Sequence, residues 1–143
     1  MKRDLYVLDS CALIAYLRKE NGAQRVADTF EKALEKDCMI YIHKATVAEV
    51  YFDTLRTSNI NEAENMIKDL SLLPLSFSNT FTNEFIKQIG YFKVNYKVSF
   101  ADCFVLALAS VKKAIIISSD HQKFCHSFGY VNLIFNNNFL INQ

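Results

Sequence analysis

Glycine and proline are nearly missing: the 143 residues hold three Gly and one Pro. So few turn formers argue against a loop-rich or disordered chain. Cysteine offers no metal framework either. Cys11, Cys38, Cys103 and Cys125 include no CxxC pair, which argues against a zinc site. Three of them lie in strongly apolar segments and read as buried free thiols, a pattern that fits a reducing cytosol. No apolar run approaches the ~20 residues of a membrane span. The start, Met1-Lys2-Arg3-Asp4, leads into an apolar run too short for a signal peptide. A cytoplasmic protein without a membrane anchor is the expectation. A large charge of one sign is also lacking. A formal net charge of +1 excludes the basic excess of a dedicated nucleic-acid binder but permits a local patch. With no repeat, low-complexity tract or linker, residues 1–143 are expected to form one domain.

What is present is apolar and periodic. Hydrophobic residues make up 51% of the chain and Phe alone counts 12, so the core is rich and aromatic. Leu5 to Leu8 reads as a buried strand. Asp9 or Ser10 then caps a helix with Leu13, Ile14 and Leu17 on one face. Asn21-Gly22 breaks it. A helix over about Ala23 to Glu35 buries Val26, Phe30, Ala33 and Leu34. A strand over Met39 to Ile42 precedes a helix over about Thr46 to Arg56, with Val47, Val50, Tyr51 and Leu55 on its apolar face. Asn61 and Glu64 form a capping-box pair for a helix with Ala63, Met66, Ile67 and Leu70 inward. Leu73-Pro74-Leu75 reads as an edge strand. Ser78 opens a helix with Phe81, Phe85, Ile89 and Phe92 inward. Ser99 and Asp102 form a second capping box, ahead of Phe104, Val105, Leu106, Leu108, Ala109 and Val111. Ala114 to Ile117 is a strand. A short helix follows Asp120 and ends near Gly129, and Val131 to Phe135 closes the sheet. Strands separated by helices imply parallel pairing and an α/β fold.

Four acids carry the chemistry. Asp9 and Asp120 each end a hydrophobic strand, and ligands in open α/β sheets bind at that edge. Glu49 and Asp102 sit early in helices that would start at the same edge. Each has a plain alternative, since Asp is a favoured helix cap and most marginal Glu are solvated. Jointly they point to a divalent cation, because hard cations such as Mg2+ prefer oxygen ligands. Asp53 lies one turn after Glu49 and either touches the pocket rim or pairs with Arg56. Lys44, Arg56, Lys93 and Lys97 are candidate phosphate contacts.

Four segments resemble the signature segments of the PIN-domain family. They run from Val7-Leu8-Asp9-Ser10-Cys11, through Thr46-Val47-Ala48-Glu49-Val50-Tyr51 and Ser99-Phe100-Ala101-Asp102-Cys103-Phe104, to Ile117-Ser118-Ser119-Asp120-His121. Within that family they resemble the VapC-type toxins of bacterial toxin–antitoxin pairs. The resemblance implies a three-layer α/β/α sandwich around a central, mostly parallel sheet. It implies that Asp9, Glu49 and Asp102 bind Mg2+ or Mn2+ and that Asp120 completes the pocket. Ser10 and Ser119 stand where the family often has Ser or Thr near the metal. It implies a metal-dependent endoribonuclease, cytoplasmic, encoded with a small antitoxin whose tail covers the acids, and commonly a homodimer. The Met66-Ile67-Leu70 face or the Phe81-Phe85-Phe92 stripe could serve as its interface, though both also read as core. An RNA-processing nuclease without antitoxin, or a non-catalytic PIN-fold binding module, is the alternative.

Metal-dependent hydrolysis implies 5′-phosphate and 3′-hydroxyl products, with either one metal ion or two at ~3.5–4 Å. No His or Lys at a comparable strand end offers a dedicated base. A haloacid-dehalogenase-like phosphatase needs a second Asp where Cys11 stands. A phospho-receiver needs an Asp where His43-Lys44 stands.

Overall fold

The computed structural model describes residues 2–119, 132–135 and 140–141. The elements in chain order are β1 (Asp4–Leu8), α1 (Ser10–Leu17), α2 (Ala23–Leu34), β2 (Cys38–His43), α3 (Lys44–Thr57) and α4 (Ile60–Leu70). They continue with β3 (Ser76–Ser78), α5 (Asn83–Asn95), α6 (Phe100–Lys112), β4 (Ile115–Ser118), β5 (Asn132–Phe135) and β6 (Leu140–Ile141). The sheet order is β3-β2-β1-β4-β5-β6. The pairs from β3 through β5 are parallel, and β6 joins β5 antiparallel.

Side-chain alternation in the strands divides the interior into two cores. In β1, Val7 enters the core beneath α5 and α6, while Tyr6 and Leu8 enter the core beneath α1, α2, α3 and α4. Ile116 and Ile117 of β4 divide in the same way. The result is the expected α/β/α sandwich around a mostly parallel sheet. From β1 the chain moves outward through β2 and β3, then returns to place β4 on the other flank of β1. The crevice beyond the carboxyl ends of β1 and β4 is therefore the topological switch point, the usual ligand position in such sheets.

The few glycines leave a mark on the helix ends. α1, α2 and α6 are each followed by a residue in the left-handed region, and each time it is a lysine: Lys19 (φ 56°), Lys36 (φ 63°) and Lys113 (φ 53°). At α2 the bonds are those of a Schellman ending, with Lys36 N–H donating to Ala33 O (3.0 Å) and Asp37 N–H to Lys32 O (2.9 Å). At the start of α2, Gly22 (φ 94°) occupies the cap position and makes the break expected there.

Several expectations shift. The cap of α4 is Asn59, whose side chain accepts from Glu62 N–H at 2.9 Å, so Asn61 and Glu64 lie inside the helix. β3 comes after Pro74 instead of including it, and it is an edge strand as expected. α5 begins after Thr82, which accepts from Phe85 N–H, so Ser78 ends a strand and Phe81 precedes the helix. Leu34, Leu55, Ile67, Phe81 and Val111, expected inward, are exposed. β6 was not expected. The helix expected from Asp120 to Gly129 lies outside the described residues.

Candidate active site

Asp9 sits at the switch point and is fully buried. Its backbone N–H donates to Ile117 O at 3.1 Å, extending the β1–β4 pairing by one residue. Its Oδ1 accepts from Ala12 N–H at 2.8 Å, which caps α1. Its Oδ2 accepts from the Ser118 hydroxyl at 2.5 Å. Ser118 was not singled out in the sequence. The signal was available, because pairing Leu8 with Ile117 places Ser118 beside Asp9.

Asp102 occupies the third position of α6 and is 4% exposed. The expected capping box is present: Asp102 Oδ2 accepts from Ser99 N–H (3.0 Å), and Ser99 Oγ accepts from Asp102 N–H (3.1 Å). Because α6 runs into β4, and β4 lies parallel to β1, the start of α6 falls at the carboxyl edge of the sheet. Next to it, burial pushes the Cys103 thiol up; the Lys93 charge opposes that rise and Asp102 adds to it.

Glu49 is half-buried in the second turn of α3. α3 starts at the carboxyl end of β2 and packs against both α1 and α6. One turn before Glu49, Thr46 Oγ1 is buried with no hydrogen-bond partner among the described residues. The cap of α3 is His43, which ends β2, so one strand end does carry a histidine, against the expectation; it is buried, and its Nδ1 accepts from Ala45 N–H at 3.0 Å. That fixes the tautomer, so Nε2–H donates to Thr80 O at 3.0 Å.

Ser10 is buried at the start of α1 and Ser119 is half-buried after β4. An open cleft of about 640 Å³ lies alongside, with Cys11, Arg18, Glu20, Asn21, Asp53 and Ser119 on its walls. Of the two readings of Asp53, the pairing with Arg56 holds. It lines this cleft, and it accepts from Arg56 (2.6 Å) and from Arg18 (2.7 Å). The Arg18 contact, 35 residues away in sequence, was not foreseen. Asp120 lies outside the described residues.

Three of the four acids thus come from elements that end or begin at one sheet edge. Among the described residues, no three Asp, Glu, His or Cys side chains form a ready metal cage. The donor set still fits Mg2+, which keeps several waters and is bound through one or two carboxylates. An orphaned hydroxyl such as Thr46 Oγ1 is the kind of group that a bound water or ion would satisfy.

A three-layer α/β fold with carboxylates at its switch point defines a class of acidic-site α/β proteins. The PIN domain family model matches residues 6–126, and the chain belongs to that family. No curated protein matches the sequence. Among solved structures, VapBC2 from Rickettsia felis bound to a promoter DNA fragment has a chain that aligns with TM-score 0.70. Its identity is 14%, over 92% of this chain and 98% of that chain. VapBC-1 from nontypeable Haemophilus influenzae gives TM-score 0.68 at 16% identity, over 94% and 99% of the two chains. VapC20 from Mycobacterium tuberculosis, described as a sarcin-ricin loop cleaving toxin, gives 0.61 at 15% identity, over 88% and 98%. Identities this low establish the shared fold.

Proposed function

We propose that this chain is a divalent-metal-dependent endoribonuclease, the toxin of a type II toxin–antitoxin pair, held inactive by a small antitoxin. The observation that carries the proposal is the burial of Asp9 and Asp102 at the switch point, with Glu49 on a helix starting from the same edge. Membership of the PIN family supports the nuclease reading. The VapBC complexes among its fold neighbours support a small protein partner.

Asp9, Glu49, Asp102 and Asp120 are the residues that would hold Mg2+ or Mn2+, with Ser10 and Ser119 at the rim. A bound divalent ion supplies charge neutralisation at the phosphoryl group and activation of water. The chain's own part is positional. The Ala12 N–H and Ser118 hydroxyl hold both oxygens of Asp9, and the capping box holds Asp102. A carboxylate oxygen can accept more than one bond, so these bonds and metal ligation are compatible roles.

The test is cleavage of a total RNA pool in Mg2+ or Mn2+ by wild type beside Asp102→Asn, a substitution that keeps shape and removes charge. Wild-type cleavage with at least about a hundredfold loss in the variant is expected, given the size of charge-stabilisation effects in active sites. Equal cleavage by both chains would sink the site assignment. The 5′-phosphate ends expected of the products are checked by end-labelling.

A further inference from the structure

Thr46 is the one helical threonine of this chain whose hydroxyl is unaccounted for among the described residues. The other three donate to the carbonyl four residues back: Thr29 to Arg25 O at 2.9 Å, Thr54 to Val50 O at 2.8 Å and Thr57 to Asp53 O at 2.7 Å. Thr46 is third in α3, so the residue four back, Ile42, belongs to β2 and not to the helix. An exposed hydroxyl in that first turn would bond to water, but Thr46 is 1% exposed and its Oγ1 has no partner among the described residues. Leaving a buried hydroxyl unpaired costs stability, whereas valine has the same shape and carries no such cost. The neighbours Ala45, Val47 and Val50 are apolar and packed against the cores, so valine would suit the position. A threonine there calls for a partner from outside the protein.

The surroundings of Thr46 point to that partner. Ala45 packs against the core beneath α5 and α6, and Val47 and Val50 against the core beneath α1 to α4. Thr46 therefore stands where the two cores meet. α3 packs against both α1, which Asp9 caps, and α6, which carries Asp102. Asp102 is third in its helix, as Thr46 is in α3, and both helices start at the carboxyl edge of the sheet, which puts the two residues at one depth. Glu49 follows Thr46 by one turn on the same side of α3.

We infer that Thr46 is a positioning residue of the cation site, its hydroxyl holding a water of the ion's hydration shell. The inference rests on the metal-nuclease reading and adds a residue to its site. Mg2+ keeps several of its waters when carboxylates bind it. Those waters are donors in need of acceptors, and a threonine hydroxyl offers two lone pairs. Groups that touch only the ligands and waters of a metal still raise its affinity, because they fix what the metal binds.

The test is Mn2+ uptake by the full chain, read as loss of the electron paramagnetic resonance signal of free aqueous Mn2+, with thermal melts in EDTA and in Mn2+. Thr46→Val should weaken Mn2+ binding by about 10- to 100-fold, the usual worth of an outer contact to a metal site. Thr46→Ser, which keeps the hydroxyl, should bind as wild type does. In EDTA Thr46→Val should melt no lower than wild type, since it gives up no bond to the protein. Mn2+ should then raise the melting point of wild type more than that of Thr46→Val. Wild-type Mn2+ affinity in Thr46→Val overturns the inference. If that variant also melts lower in EDTA, the hydroxyl belongs to a structural water indifferent to the ion. Asp102→Asn separates Thr46 from the site as a whole. Loss of Mn2+ binding in Asp102→Asn with none in Thr46→Val removes Thr46 and leaves the site standing. A wild type that takes up no Mn2+ removes the site itself, and Thr46 with it.

Discussion

Asp9 is held by one bond that its local sequence dictates and one that it does not. The bond from Ala12 N–H follows from Asp at the cap of α1. The bond from Ser118 joins residues 109 positions apart and exists only because β4 pairs with β1. Cap and ligand are thus compatible roles: capping occupies one acceptor position and fixes the direction of the others. The Ser118 bond is short, buried and directed to a carboxylate, so it belongs among the stronger protein hydrogen bonds. Ser118→Ala should lower stability by roughly 1.5–3 kcal/mol. The check is urea denaturation, where the midpoint should fall with the slope unchanged. An unaltered midpoint would mean that Asp9 finds an equal donor elsewhere. Asp53 contrasts with this. Its two arginines are 41% and 60% exposed, so solvent screens both pairs and each contributes little, about 0–1 kcal/mol. At this scale the acids were legible, because acids at strand ends and helix starts are visible in one dimension. Thr46 and Arg18 were not, because their significance depends on what the fold places beside them, and Ser118 becomes legible only once β1 is paired with β4.

Helices were easier to place than their ends. α1, α2, α3 and α6 fall within about two residues of where periodicity puts them, the usual tolerance for helix boundaries. α4 and α5 slipped because several cap-forming residues compete. Asn59 and Asn61 offer the same chemistry two residues apart, Ser78 and Thr82 four residues apart, and only packing selects one of each pair. β3 was misplaced because Ser76-Phe77-Ser78 carries no apolar pattern; its strand character comes from pairing with β2. Burial of the helix faces was overstated at Leu34, Leu55, Ile67 and Val111, each near the margin of an apolar stripe. The lysines that end α1, α2 and α6 follow from the shortage of glycine. An L-residue in the left-handed region pays about 1–2 kcal/mol, partly offset in glycine by its freer unfolded chain. Lys36→Gly should therefore stabilise the protein by about 0.5–1 kcal/mol, whereas Lys36→Ala should not. Thermal unfolding reads the difference as a rise of a few degrees, roughly 2–4 °C for a domain near this size. A lower melting point for Lys36→Gly would show that the lysine makes contacts that outweigh its backbone strain.

The sheet separates two cores, so a question arises for the molecule as a whole: whether its layers open together. Each core holds a buried cysteine. Cys38 lies among the side chains beneath α1 to α4, and Cys103 lies beneath α5 and α6. Burial pushes both thiols up, which keeps them protonated and unreactive until the chain opens. We propose that residues 1–143 act as one cooperative unit, since β1 and β4 donate side chains to both cores and neither layer can leave without exposing the other. A thiol-specific reagent followed by peptide mass spectrometry then reads Cys38 and Cys103 separately. Their labelling should report the same opening free energy and the same denaturant dependence. The measurement belongs at neutral pH. Below the ordinary thiol range, near ~8.5, both groups are protonated folded and unfolded, so the opening equilibrium is undisturbed. Above it the unfolded chain loses its protons first, and stability falls as pH rises through the raised folded values. Labelling of Cys103 at a markedly lower opening free energy than Cys38 would show the α5–α6 layer detaching alone. In that case the edge carrying Asp102 would be only as durable as that layer, and Asp102 would be lost from the site before Asp9.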